Sequence, residues 1–434
     1  MAADTFPVYE TRSGWNALLP PRAITGAPPR ERTFASVVIG AGYAGLGAAR
    51  RLAELEPGRR ILLLDAGEIG EGASGRNSGF VGVAPQQPQA NRHGDAMAAA
   101  ARQMRIYRAG VAWLKSLVET HAIPCQWDES SPRLHAAATA AGAKRLEASI
   151  AQYTAWGIPA RAVTEEALDR LIGTRYYRAA MTYDEYAFVQ PAALVRGLAE
   201  SLPAEVHLAE RLPVLAIAGT GPFTVSTPAS DFTAERVILT SNVHARTFGL
   251  LRSRMFAVYT YGGFTPELDD AELAKLGGTK TWGVLPAHKL GTTSRKIADR
   301  RFLIRAGDSY ETQLSPAGIK RLLTRLYRNR YPAMKSHDLQ YVWSGALAIT
   351  GNGGLYFGEV RKGLFCAAGC NGSGIVRGSI NGKLLAELAC GGQSDLLSDR
   401  LKIEGPNWLP PDPIRRVGVV STVAMERLFA GKEI

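Results

Sequence analysis

Residues 35–67 read ASVVIGAGYAGLGAARRLAELEPGRRILLLDAG, and this stretch decides the fold. Val37-Val38-Ile39 and Ile61 to Leu64 are unbroken apolar runs, the pattern of parallel strands covered on both faces. Between them, Leu46, Ala49, Leu52 and Leu55 recur on one helical face. The turn that joins strand to helix, Gly40-Ala41-Gly42-Tyr43-Ala44-Gly45, has GxGxxG spacing. Gly40 permits the tight turn, Gly42 lets backbone approach a pyrophosphate, and Gly45 allows close helix–strand contact. The helix N-terminus then faces the phosphate charge. Asp65, followed by Ala66, ends the second strand close to the roughly 20-residue interval expected of an acid that accepts hydrogen bonds from an adenosine ribose. A right-handed βαβ unit binding a dinucleotide is predicted. These glycines alone do not choose between FAD and NAD.

Outward from this unit, two more glycine-rich turns stand out. Ala73-Ser74-Gly75-Arg76-Asn77-Ser78-Gly79 can bring amides and polar side chains to a cofactor. Gly369-Cys370-Asn371-Gly372-Ser373-Gly374 falls between an apolar strand, Leu364 to Ala368, and a helix, Ile375 to Cys390, so its amides could stabilise negative charge at a helix start. Helices are expected over Ala96 to Thr120, Ala138 to Gly157, Pro191 to Leu202 and Pro316 to Tyr331. Short strands are expected at Val206 to Ala209, Val214 to Ala218, Phe223 to Ser226 and Val237 to Thr240. Met255 to Phe264 and Arg301 to Ala306 look like strands of a second sheet. The proline-containing start, through about residue 33, is expected to be an extended arm over the first domain. No repeat of 20 to 50 residues appears.

The chain has 434 residues, 46% hydrophobic and 21% charged, which suits an ordinary two-lobed globular protein. No uncharged apolar run reaches the roughly 18 residues of a membrane span, and the start lacks a secretion signal, so a cytoplasmic protein is expected. Cys125, Cys366, Cys370 and Cys390 lack zinc or disulfide spacing, and no metal site is expected. The formal charge of +12 is spread over arginine-rich helices rather than gathered into one aromatic-laced tract. That distribution speaks against nucleic acid and fits a solvated face, leaving an anionic membrane surface or an acidic small molecule as the partners it could serve.

The arm with paired prolines and the segments VVIGAGYAGLGAARRL, GEIGEGASGRNSGF, YAFVQPAALVRGLA, ADRRFLIRAG and FCAAGCNGSGI resemble the D-amino-acid oxidase superfamily, over about Val37 to Ala389. ASGRNSG and the arm are most similar to the bacterial γ-glutamylputrescine oxidase and glycine oxidase branch. The resemblance implies an α/β fold: a glutathione-reductase-type Rossmann FAD domain with an inserted α+β substrate domain containing a mixed sheet. The implied order is an arm to residue 33, FAD-domain segments 34–115, 183–250 and 344–400, substrate-domain segments 116–182 and 251–343, and an extension from 401. It implies FAD, held noncovalently: Gly40, Gly42, Tyr43, Ala44 and Gly45 at the pyrophosphate, Asp65 and Ala66 at the ribose, and Val214 or a neighbour at adenine. Ser74, Gly75, Arg76, Asn77, Ser78 and Gly345 fall on the flavin side, and Gly369, Asn371, Gly372, Gly374 and Ile375 at its pyrimidine edge. Three departures are visible: Asp65 where many relatives have Glu, Cys370 where several have His or Tyr, and Ala348 to Gly354 in place of a Thr-Pro-Asp-like turn.

The implied chemistry is oxidation of an amine or amino-acid C–N bond by hydride transfer to flavin N5, with oxygen or another electron acceptor. Such transfer needs a neutral, aligned amine and no dedicated catalytic side chain. Candidate pocket residues are Tyr259, Tyr261, Trp282, His288, Arg305 and Asn352, with Arg305 the best placed to grip an anionic group. The positive balance favours an N-substituted amino acid, a γ-glutamyl polyamine or an aminoalkylphosphonate. A tRNA-modifying flavoprotein, a nonenzymatic FAD sensor and a quinone-linked D-amino-acid dehydrogenase are the competing readings.

Overall fold

The computed structural model describes residues 8–24, 28–85, 95–334 and 338–434. The ends of the expected arm at residues 1–7 and at 25–27 lie outside the described residues.

Thr33–Ile39 sits at the centre of an eight-stranded sheet, parallel to Ile61–Leu64 on one side and to Asp231–Leu239 on the other. Val206–Ala209 continues the parallel set beyond Ile61–Leu64, and Leu364–Ala368 continues it beyond Asp231–Leu239. Tyr356–Arg361 closes the edge in the antiparallel sense. All four residues of Ile61–Leu64 are buried, as a strand covered on both faces requires. Phe223–Ser226 and Ala216–Ala218 form an antiparallel side branch on Asp231–Leu239. The strand expected from Val214 begins two residues later, which leaves Val214 in the preceding loop.

Helices Tyr43–Leu55 and Gly374–Ala389 cover one face of this sheet and lie against each other. Their backbones touch closely: a Cβ on Gly382 would stand 1.9 Å from the Ala44 carbonyl oxygen. The helices that follow the first and the last glycine turns are thereby packed together although they are distant in the chain. Ala96–Thr120 matches the helix expected there, and Asp95 caps it by accepting from the Met97 amide.

The second sheet also has eight strands, ordered Tyr341–Thr350, Met255–Phe264, Arg301–Tyr310, Thr293–Ile297, Trp282–Pro286, Arg133–Ala137, Ala179–Tyr183 and Ala160–Val163. Only Trp282–Pro286 and Arg133–Ala137 run parallel, so the sheet is mixed. Pro316–Arg330 covers its outer face, packing Leu323 and Tyr327 into a cluster with Trp282, Phe302 and Tyr331. Tyr341–Thr350 pairs along its whole length with Met255–Phe264, so the 343/344 division falls inside a strand of this second sheet.

The arm differs from a simple extended cover over the first domain. It contains a helical turn, Gly14–Ala17, and Trp15 is fully buried edge-on against Phe264 of the second sheet, with ring centroids 4.7 Å apart. Trp15 Nε1 donates to the Asn77 carbonyl at 2.7 Å, and Ser13 Oγ donates to the Gly75 carbonyl at 2.7 Å. Burying an indole stabilises by a few kcal/mol. That contact pins the 73–79 turn against the second sheet.

Candidate active site

At the phosphate end, Gly40 has φ +98°, a conformation favouring glycine, and its amide donates to the Leu64 carbonyl at 2.7 Å. A Cβ on Gly45 would lie 1.8 Å from the Gly40 carbonyl oxygen, so only glycine allows the helix this close to the turn. Gly42 is the N-cap, and the Tyr43 amide donates to Ser74 Oγ at 3.1 Å. An oxygen acceptor thus already faces the positive helix end. The Tyr43 ring is buried beneath the site, where its hydroxyl donates to the Pro191 carbonyl.

Asp65 accepts from the Ala41 amide at 2.7 Å and the Gly67 amide at 2.8 Å. Burial pushes its pKa up to about 6, against the lowering effect of those two bonds, and nearby Glu210 raises it further. Each carboxylate oxygen keeps a free lone pair for a donor such as a ribose hydroxyl. A cleft of about 150 Å³ holds Gly40, Gly42, Asp65, Ala66, Ser74 and Val214, with Ile39, Leu212, Val243 and Phe248 as an apolar wall. Close backbone, helix N-terminus, acid and apolar slot together fit the adenosine and pyrophosphate of FAD.

Beyond Ala73 and Ala346, which line both spaces, the cleft opens into a cavity of about 660 Å³ between the second sheet, the 73–79 turn and the start of Gly374–Ala389. Arg76, Asn77, Ser78, Gly345, Asn371, Gly372, Gly374 and Ile375 all line it. Several of these are clamps. The Arg76 guanidinium donates to the Glu71, Ser344 and Thr11 carbonyls, pairs with Glu71 at 2.9 Å and lies 3.9 Å from the Tyr9 ring. Asn77 closes its own turn through Ser74 and Gly79. Asn371 accepts from the Thr350 amide at 2.9 Å and donates to the Gly369 carbonyl at 2.8 Å. Its turn, with Gly369 at φ +93° and Gly372 at +83°, leads into the start of Gly374–Ala389, which opens on the cavity. Gly369 itself donates to Asn242 Oδ1. Cys370 is a free thiol whose sulfur accepts from Asn242 Nδ2 at 3.3 Å, and it does not line the cavity.

The floor is one face of the second sheet. Arg305 pairs with Thr293, and Leu285 pairs with His135. Continuing the Val284–Ser294 register by one residue sets Leu285 opposite Thr293. Arg305, Thr293, Leu285 and His135 therefore form one row across four strands, and all four line the cavity. Arg133 projects from the same face two residues before His135.

Of the six pocket candidates, Arg305 alone lines this cavity. It makes no side-chain hydrogen bond or ion pair among the described residues, and burial lowers its pKa. Tyr259 and Tyr261 flank Thr260, which faces the cavity, so strand alternation turns both rings away. Tyr261 instead donates to Ser309 Oγ at 2.7 Å on the far side of the sheet. Trp282 is fully buried in the outer core, donating to the Leu276 carbonyl. His288 accepts from the Leu290 amide through Nδ1, and its Nε2 lies 3.2 Å from Glu426. Asn352 donates to the Gly405 carbonyl in the C-terminal segment.

Sequence reasoning missed Arg133, His135, Tyr183, Lys289 and Arg377, which line the cavity. Arg133 and His135 alternate in the strand RLHAA, and two polar side chains at period two in a short strand were the available signal. Burial and the Arg133 charge push the His135 pKa down to about 3, so its imidazole is neutral at physiological pH. Five cations, Arg76, Arg133, Lys289, Arg305 and Arg377, and no carboxylate line the cavity among the described residues. No group of three potential metal ligands occurs among them either.

Comparison with known proteins agrees with this geometry. A family model described as FAD dependent oxidoreductase matches residues 36–388. The chain belongs to that family and is an FAD-dependent oxidoreductase. It is 27% identical over 407 residues to the probable oxidoreductase OrdL of Rhizobium meliloti, covering 92% of each chain. It is 25% identical to the gamma-glutamylputrescine oxidoreductase of Escherichia coli, covering 82% of this chain and 83% of the relative. The glycine oxidase structure from Geobacillus kaustophilus superposes with a TM-score of 0.70 at 22% identity, covering 84% of this chain and 96% of that one. That likeness establishes the shared fold.

Proposed function

We propose that the chain oxidises the C–N bond of a primary or secondary amine that carries an anionic group. The observation that supports this most directly is the charge of the cavity: five cations and no carboxylate are among its described lining residues. Although Arg76 pairs with Glu71 and Lys289 with Glu426, Arg133 and Arg305 have no acidic partner among the described residues. Such a field attracts an anionic substrate and is hostile to an ammonium ion. It therefore favours the neutral amine, whose lone pair C–N oxidation needs. Arg305, unpaired on the sheet floor, takes the acid group in a charge-assisted and potentially bidentate contact.

Gly40, Gly42 and Asp65 in the cleft would hold FAD noncovalently, and the flavin would supply the acceptor for the hydride's two electrons. The C–H bond next to nitrogen breaks with its electron pair, and C=N forms. Water then adds to that bond, releasing a carbonyl compound and an amine, and dioxygen or another electron acceptor takes up the two electrons. The protein's part is to orient the carbon, exclude water with the sheet floor and the 73–79 turn, and disfavour the protonated amine. N-substituted amino acids, γ-glutamyl polyamines and aminoalkylphosphonates are the substrate classes that fit.

An anaerobic stopped-flow screen of amines against the FAD-loaded protein tests the proposal. Loss of oxidised-flavin absorbance with anionic amines supports it; bleaching by neutral amines alone rejects it.

A further inference from the structure

The cation that the amine-oxidation reading leaves unused is Arg133. The residue is 7% exposed, and its Nε and Nη1 are buried without an acceptor among the described residues. The guanidinium lies 4.5 Å from the Tyr183 ring centroid, with the Tyr186 and Phe80 rings at 5.7 and 5.8 Å. The ring faces hold the charge in place but do not accept from Nε or Nη1. His135 Nε2, on the same strand face, is also buried without a partner. A buried cation with orphaned donors is costly unless something brings it an acceptor.

The position of this site relative to Arg305 is fixed by the sheet. Arg305 and His135 end the four-strand row described above, so their Cα atoms stand about 14 Å apart at the usual strand spacing. Arg133 lies two residues further along, about 7 Å down its strand. Both long side chains open into the one cavity, leaving between them the length of a short chain with an acid at each end.

We propose that Arg133, with His135 beside it, forms a second anion subsite, and that the substrate is an amine carrying two separate acid groups, one on each side of the nitrogen or at the two ends of its chain. This inference rests on the reading of the cavity as an anionic-amine site and narrows it from one acid group to two.

The test compares three secondary amines of matched length with the FAD-loaded enzyme: N-carboxypropylglycine with two acids, N-butylglycine with one, and N-ethylbutylamine with none. The expected kcat/KM for flavin reduction is at least about 30-fold higher for N-carboxypropylglycine than for N-butylglycine, the worth of one charge-assisted contact. In Arg133→Gln that ratio falls toward one. Equal rates for the one-acid and two-acid amines overturn the second subsite and leave the anionic-amine reading standing; faster reduction by N-ethylbutylamine overturns both. A preference for two acids that persists in Arg133→Gln moves the subsite elsewhere and overturns the assignment. Should Arg133→Gln not fold, competitive inhibition of the wild type decides: heptanedioate, which has the same chain length as N-carboxypropylglycine, inhibiting well below the concentration of heptanoate supports the subsite, and equal inhibition overturns it.

Discussion

Replacing Asp65 by Asn probes the ribose acid through its ionisation. Burial raises the Asp65 pKa from 3.8 to about 6, so the folded, flavin-free protein holds this proton more tightly than the unfolded chain. The associated stability is fully present below pH about 4 and is lost as pH rises through about 6; a shift of about two units amounts to roughly 3 kcal/mol. Between pH 5 and pH 8 the linkage relation gives a loss of about 1.4 kcal/mol. Asn does not titrate, but it has one acceptor oxygen for the two amides of Ala41 and Gly67, which costs about 1–3 kcal/mol at every pH. Urea unfolding of the flavin-free proteins is therefore expected to show Asp65→Asn less stable at pH 5, with the gap closing by about 1.4 kcal/mol at pH 8. A gap independent of pH would refute the reasoning, because it would mean that the carboxyl ionises as freely in the fold as outside it.

Three further outcomes follow from individual contacts. Gly45→Ala puts a Cβ 1.8 Å from the Gly40 carbonyl oxygen, and relieving that overlap opens the phosphate turn. Gel-filtered protein is expected to carry little flavin, and a wild-type flavin-to-protein absorbance ratio would argue against the tight turn. Arg305→Gln is expected to lower kcat/KM for anionic amines by about 30- to 150-fold, the equivalent of about 2–3 kcal/mol for a charge-assisted bond; a loss under threefold would place the acid group elsewhere. Glu433 Oε1 accepts from the Ala138 amide, the Thr139 amide and Thr139 Oγ1, at 3.2, 3.0 and 2.7 Å, bracing the start of helix Ala140–Ala155. Glu433→Ala is expected to cost about 2–3 kcal/mol in urea unfolding, and an unchanged midpoint would show the brace to be idle.

The nucleotide half was legible because its information is local. Strand, glycine turn, helix and acid fall within residues 33–65, and apolar continuity marks both strands. The substrate half is built from distant segments: Arg133–Ala137 pairs with Trp282–Pro286, and Met255–Phe264 with Tyr341–Thr350. Pairing partners set which face of a strand meets the cavity, and a shift of one residue reverses the face. That is why Tyr259 and Tyr261 looked inviting while Thr260 occupies the floor. Lys289 lines the cavity and His288 does not, another adjacent pair that residue type could not separate. Trp15 was hidden for a different reason, since its partners Phe264 and Trp343 lie hundreds of residues away and the prolines of its segment suggested an extended arm over the first domain rather than an anchor in the second sheet.

The measurement that bears most directly on the reading of this cavity is anaerobic reduction of the FAD-loaded protein by N-ethylglycine and by diethylamine, followed in parallel by stopped flow. The cationic cavity predicts that N-ethylglycine bleaches the flavin with a kcat/KM at least about tenfold above diethylamine, equivalent to about 1.4 kcal/mol. Faster bleaching by diethylamine, with none by N-ethylglycine, would contradict it.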